Sequence, residues 1–145
     1  MSLWRLFYHV VWATRQRASL IDPERASVLQ CSFRDIGHER GAVMHAIGIM
    51  PDHVHVAVSI PPRIAVATFV KELKGESSHL VNRTINRPNE SFHWQPEYGV
   101  LSFGERSLPR IVAYLEHQET HHATNDLMPL FEQFERPRPI ACSAQ

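Results

Sequence analysis

The sequence predicts an α+β fold: a four-stranded antiparallel sheet with two helices on one face and a further helix towards the C-terminus. Three observations lead there. Apolar, β-branched or aromatic runs recur at residues 3–13, 42–49, 53–60 and 98–103; helical periodicity fills the intervals after the first and third runs and follows the fourth; and only Met50-Pro51-Asp52 separates the second run from the third. Strands joined so briefly pair as an antiparallel hairpin. The order β-α-β-β-α-β folds most simply as a ferredoxin-like sheet whose helices cover one face, which leaves a last helix to deliver residues to the other.

Each element has its own signal. Leu, Phe, Tyr, Val and Trp crowd residues 3–13, and Arg15 and Arg17 mark a turn into solvent. Asp22-Pro23-Glu24 supplies an N-cap, a proline for the first helical position and an early acid, and the helix runs to about Arg40, where Gly41 stops it. After Pro61-Pro62, the residues Val66, Phe69, Val70, Leu73, Leu80 and Val81 recur at helical spacing, with Gly75 as an interruption. NRPNESFHWQPE, residues 86–97, is a loop, and YGVLSF is a short strand. Ser107 is placed to cap a third helix, SLPRIVAYLEHQETHH, with a buried stripe of Leu108, Ile111, Val112 and Leu115.

A chain of 145 residues with 43% hydrophobic content suits one domain, expected over 1–145 with residues 125–145 as a loosely ordered tail. The 15 basic and 15 acidic side chains cancel, so attraction of nucleic acid by net charge is excluded and a local basic patch is required. Cys31 and Cys142 are far apart in sequence and fit free thiols in a reducing compartment. Arg5 and His9 interrupt the first apolar run, which reads as a strand instead of a secretion signal. No run approaches the roughly 20 apolar residues of a membrane span. The expected location is the cytoplasm.

Ten histidines are scattered along the chain, and two of them, in MPDHVHVAVSI, sit one residue apart on a strand. Alternation sends Val54, Val56, Val58 and Ile60 to the core and His53, His55, Ala57 and Ser59 to the opposite face, with the two histidine Cα atoms roughly 6–7 Å apart. Such a pair can share a divalent cation, or can be an ordinary hydrogen-bonded pair. Asp52 can be a further ligand or a turn residue making an Asx-type bond. A third ligand is needed for a catalytic metal.

In IVAYLEHQETHH, Tyr114 and Gln118 are four residues apart and lie on one side of the helix. Tyr114 can simply extend the stripe of Ile111 and Leu115, although Gln118 and the histidines that follow are odd company for buried apolar packing. If His53, His55 and Gln118 share a cation, Tyr114 stands beside it, placed to attack a phosphodiester.

MPDHVHV resembles the HUH motif, histidine-hydrophobic-histidine. With YHVVWAT, LKGESS, FHWQPEYGVLSF and YLEHQETHH in that order around it, residues 7–122 are similar to the small single-tyrosine HUH transposases of bacterial insertion sequences, the TnpA-like family that includes REP-associated tyrosine transposases. The resemblance implies cleavage and rejoining of single-stranded DNA with hairpin ends through a 5′-phosphotyrosine. It implies His53 and His55 as ligands of Mg2+ or Mn2+, Gln118 as the third ligand and Tyr114 as the nucleophile. It also implies a homodimer, in many members with the tyrosine helix serving the partner's histidines, for which Gly104 could hinge. Beyond His122 the chain departs from the family, broken by Pro129, Pro137 and Pro139. That leaves open an active transposase, a relative tied to dispersed palindromes, or a decayed copy that still folds.

For DNA contact the candidates are Arg15, Arg17, Lys71, Lys74, Arg83 and Arg87, with Phe92, His93 and Trp94 as stacking groups. The plain alternatives are a solvated helix face for the cations and a core anchor for Trp94. Two other functions compete with the transposase: a palindrome-binding relative without chemistry, and a small metal-dependent phosphohydrolase that uses the histidines and needs no tyrosine.

Overall fold

The structure is a computed structural model that describes residues 2–117. Strands β1 (Phe7–Ala13), β2 (Val43–Ile49), β3 (His53–Ser59) and β4 (Gly99–Phe103) form one antiparallel sheet in the order β2-β3-β1-β4. The helices are α1 (Pro23–Glu39), α2 (Val66–Thr84) and α3 (Leu108–Glu116). This is the expected ferredoxin-like arrangement with one added helix. The proposed tail, 125–145, and Cys142 lie outside the described residues, and the described Cys31 is an exposed free thiol.

The two faces of the sheet separate as strand alternation requires. Val10 and Trp12 of β1 and Val54, Val56 and Val58 of β3 pack against Leu29 and Phe33 of α1 and Phe69, Val70 and Leu73 of α2. On the other face, Ala46 and Ala57 meet Ile111, Tyr114 and Leu115 of α3. The sheet is therefore a septum, with the larger core behind it and α3 in front.

Local signals explain most boundaries. Asp22 caps α1, its side chain accepting from the Arg25 N–H at 2.9 Å, Pro23 opens the helix, and Gly41 leaves it at φ 74°. Gly37 permits the close approach of β2, since a Cβ there would lie 2.8 Å from Met44. Three expectations need correction. β1 starts at Phe7, not at residue 3, because its neighbours end there: Phe7 pairs with Phe103, the last residue of β4, and Leu3 is 88% exposed. Gly75 does not interrupt α2, which runs unbroken past it. Ser107 makes no capping hydrogen bond; a 3-10 turn, Glu105–Ser107, already has helical backbone at Ser107 (φ −84°, ψ −11°) and runs straight into α3.

The loop at 86–97 is fastened to the helices. Asn82 Nδ2 donates to the Phe92 carbonyl at 2.9 Å while the Phe92 N–H donates to Asn82 Oδ1 at 2.8 Å. Trp94 Nε1 donates to Ser77 Oγ at 3.1 Å. Fully buried Arg25 reaches from α1 to donate to the carbonyls of Leu20 (2.9 Å) and Glu90 (2.7 Å). Phe92, 0% exposed, is a core residue and cannot stack on DNA bases as expected, while Trp94, 9% exposed, follows the second of its two readings, a core anchor of the loop.

Candidate active site

β3 is central, flanked by β1 and β2, so every one of its side chains is buried. His53 and His55 point to the α3 side with ring centroids 5.1 Å apart. Each has an outer partner. His53 Nδ1 donates to Asp52 Oδ1 at 2.7 Å, and the other carboxylate oxygen lies 3.4 Å from Arg17 Nε. His55 Nδ1 is 2.8 Å from His9 Nε2, the two rings stacked at 4.9 Å. With Nδ1 engaged in both, Nε2 is the nitrogen each ring can lend to a cation.

Two of these partners escaped the sequence reading. The sequence offers Asp52 as a ligand or a turn residue and does not show that its carboxylate steadies the ring of His53, while its carbonyl accepts from the Thr14 N–H at 2.9 Å. His9 had no assigned role. The signal that could have found it is parity: Tyr8, Val10 and Trp12 face the main core, so His9 must share the face of His53 and His55 once β1 and β3 pair.

Tyr114 lies on α3 with its ring edge-on to that of His55, centroids 6.2 Å apart at 77°. It is 3% exposed and packs in the cluster of Ile111, Leu115, Ala46 and Ala57. The two readings of Tyr114 thus coincide: it extends the apolar stripe and stands against the histidine pair of its own chain. Gln118 lies outside the described residues. Among the described residues no group of three His, Cys, Asp or Glu side chains could hold a metal ion. Gly104, expected as a hinge, has φ −81° and ψ 155°, a conformation open to any residue.

The basic candidates divide. Lys71 and Lys74 line a cleft of about 340 Å³ between α2 and the 86–97 loop, together with Ser78, His93, Trp94 and Tyr98. Lys71 is exposed. Lys74 turns inward, donating to the carbonyls of Gln95 (2.5 Å) and Glu97 (3.1 Å), and burial lowers its pKa to about 8. The exposed turn of Arg15 adjoins this cleft, its N–H donating to the His93 carbonyl at 2.9 Å. Arg83 lines a different groove with Asp35, Glu39, Glu76 and His79. Arg87 is committed to Asp22 and Glu24, and its guanidinium, after the Arg25 N–H, holds the Asp22 carboxyl below its usual pKa.

The ferredoxin-like sheet, the HxH pair and the tyrosine of the added helix are arranged as the resemblance to the single-tyrosine transposases implies, and comparison with known proteins gives the family. Residues 2–118 match the family described as "Transposase IS200 like", and the chain belongs to that family. It is 32% identical over 120 residues to the ISDra2 transposase TnpA of Deinococcus radiodurans, covering 80% of this chain and 86% of that one. With the transposase for insertion sequence element IS200 of Salmonella typhimurium it shares 26% identity over 120 residues, 79% of this chain and 78% of the relative. A crystal structure of a chain assigned as a transposase from Deinococcus radiodurans R1 superposes with TM-score 0.65 at 32% identity, over 81% of this chain and 93% of the other. A REP-associated tyrosine transposase bound to a REP hairpin shares the fold, with TM-score 0.62 at 17% identity over 84% and 74% of the two chains.

Proposed function

We propose that this transposase cuts and rejoins single-stranded DNA through a covalent bond to Tyr114. The observation that carries the reading is the packing of the Tyr114 ring against His55, on the face of the sheet where His53 also points. In the forward step the Tyr114 oxygen bonds to phosphorus and the phosphorus–O3′ bond breaks; the phenol loses its proton and the departing 3′-oxygen gains one. The product is a 5′-phosphotyrosine and a free 3′-hydroxyl, and attack by a 3′-hydroxyl on that ester rejoins strands without an external energy source.

A free phenol, with a pKa of about 10, is a weak nucleophile at neutral pH. Mg2+ or Mn2+, held by Nε2 of His53 and His55 with Gln118 as the third ligand, would neutralise phosphate charge and align the phosphorus. The donor set fits such a cation, because Asp52 and His9 occupy the Nδ1 side of the two rings. Lys71, Lys74 and Arg15 would hold the strand beside the cleft, with Arg83 as a more distant phosphate contact. The solved relative bound to a REP hairpin supports hairpin ends as the substrate. A homodimer acting in the cytoplasm completes this reading; no helix among the described residues is long and apolar enough to cross a membrane.

The test is a hairpin-bearing oligonucleotide library incubated with protein and Mn2+. A covalent adduct is expected with the wild type and none with Tyr114→Phe; an adduct retained in the mutant rejects Tyr114. The burial of Tyr114 favours a second reading, a hairpin-binding protein without chemistry. Chelator-insensitive binding with no adduct under any cation would establish that alternative.

A further inference from the structure

We propose that His9 is a positioning residue that fixes which nitrogen of His55 carries the proton, and so keeps Nε2 of His55 available as a ligand. This rests on the reading of His53 and His55 as cation ligands and adds a residue to that site.

The placement follows from register. Ala57 faces His9 and His55 faces Val11 across the β1–β3 ladder, so His9 and His55 are diagonal cross-strand neighbours on one face. Their rings stack at 4.9 Å and 22°, with His9 Nε2 2.8 Å from His55 Nδ1. Both are sealed from solvent, at 1% and 0% exposure.

A hydrogen bond between two imidazoles needs one N–H and one lone pair. If Nε2 of His55 offers its lone pair to a cation, Nδ1 of that neutral ring must carry the proton. His9 Nε2 must then accept, and the His9 proton sits on its own Nδ1. The same assignment holds at His53, whose Nδ1–H donates to Asp52 Oδ1. With Nε2 turned to a cation, both rings carry the proton on Nδ1, backed by different partners: a carboxylate behind His53, an imidazole behind His55. The carboxylate can only accept, so it fixes His53 outright. An imidazole can donate or accept, so His9 acts through its own tautomer.

Burial makes the arrangement specific. The same face of β1 otherwise carries Phe7, Val11 and Ala13, all buried, and an apolar residue at position 9 would continue that pattern without the cost of sequestering a polar ring. An apolar residue would also leave Nδ1 of His55 without the acceptor that selects its tautomer.

The deciding measurement is 15N NMR of the histidine rings in metal-free wild-type protein, which reads the tautomer directly. His55 is expected as Nδ1–H and His9 as Nδ1–H; a proton on Nε2 of His55 overturns the proposal without any mutant. His9→Phe, which keeps a ring but removes the acceptor, should move the His55 proton towards Nε2. It should weaken Mn2+ binding, measured calorimetrically without DNA, by about 10–100-fold. His9→Gln, which restores a carbonyl acceptor, should recover the tautomer and part of the affinity. An unchanged His55 tautomer and unchanged Mn2+ affinity in folded His9→Phe overturns the role. Should Mn2+ bind His53→Ala and His55→Ala as well as wild type, the cation reading fails, while the tautomer shift alone decides whether His9 controls His55.

Discussion

The carboxylate of Asp52 accepts a hydrogen bond from His53 Nδ1 at 2.7 Å, and the guanidinium of Arg17 stands behind it, Nε 3.4 Å from the second oxygen. Arg17 reaches that position from an unusual backbone, since Gln16 and Arg17 have φ of 56° and 53°. Successive left-handed residues with side chains are unfavourable. The turn is therefore held by what it contacts, and Arg17 serves the site as well as facing solvent. Asp52→Asn should weaken Mn2+ binding by about 10–100-fold, the range expected for an outer partner of a metal-binding histidine. Calorimetry on the free protein measures this, with a clean fold verified by circular dichroism.

Relief of that backbone conformation should be measurable as well. Gln16→Gly removes a Cβ from a left-handed position, and its expected effect is a gain of about 0.5–1 kcal/mol in unfolding free energy by urea denaturation. DNA cleavage should be untouched if the Arg17–Asp52 contact survives.

The packing of Tyr114 and its proposed role as nucleophile can be separated by mutation. Tyr114→Phe keeps the ring packed with Ile111 and Leu115 and should cost at most about 1 kcal/mol in stability while abolishing the covalent adduct. Tyr114→Ala empties the cluster and should cost about 3–5 kcal/mol. Continued turnover of nucleotide substrates by Tyr114→Phe would point to the phosphohydrolase instead.

Lys74 gives a pH dependence with a defined sign. Its folded pKa is lowered from 10.5 to about 8, so its positive charge is present below about pH 8 and lost above it. Hairpin affinity at fixed ionic strength should therefore fall as pH rises through about 8, and Lys74→Arg, which stays charged, should flatten that profile. Stability should move the other way: between about 8 and 10.5 the unfolded chain binds the proton that the folded chain has released, so folding becomes more favourable with rising pH. Lys71→Ala is expected to shrink the salt dependence of DNA binding by about one phosphate contact, a slope change of roughly 0.7–0.9.

The sequence made some of this legible because the signals were local. Asp22, Pro23 and Gly41 bound α1 by capping and backbone preference alone, and the alternation in HVHVAVS identifies the histidine face without knowledge of the partner strands. What stayed hidden depends on contacts between distant residues. His9 became part of the site only through the register of β1 on β3, which no local pattern in either strand specifies. Phe92 and Trp94 sit among prolines and polar residues, as exposed loop aromatics do, yet Asn82, Ser77 and Arg25 from two helices draw that loop onto the core. Lys74 reads as a solvated cation on a helix until Gln95 and Glu97 supply carbonyls within reach. Arg87 looks available to phosphate in sequence, but Asp22 and Glu24, more than sixty positions earlier, already hold it.

Because Trp12 and His9 occupy opposite faces of β1 with only two residues between them, the strand is intolerant of changes in length. Inserting or deleting a single residue between them would have to turn one of the two over, sending an indole towards α3 or an imidazole among valines and phenylalanines. Drift in this segment is thus confined to exchanges of one residue for another, whatever freedom the surrounding loops enjoy.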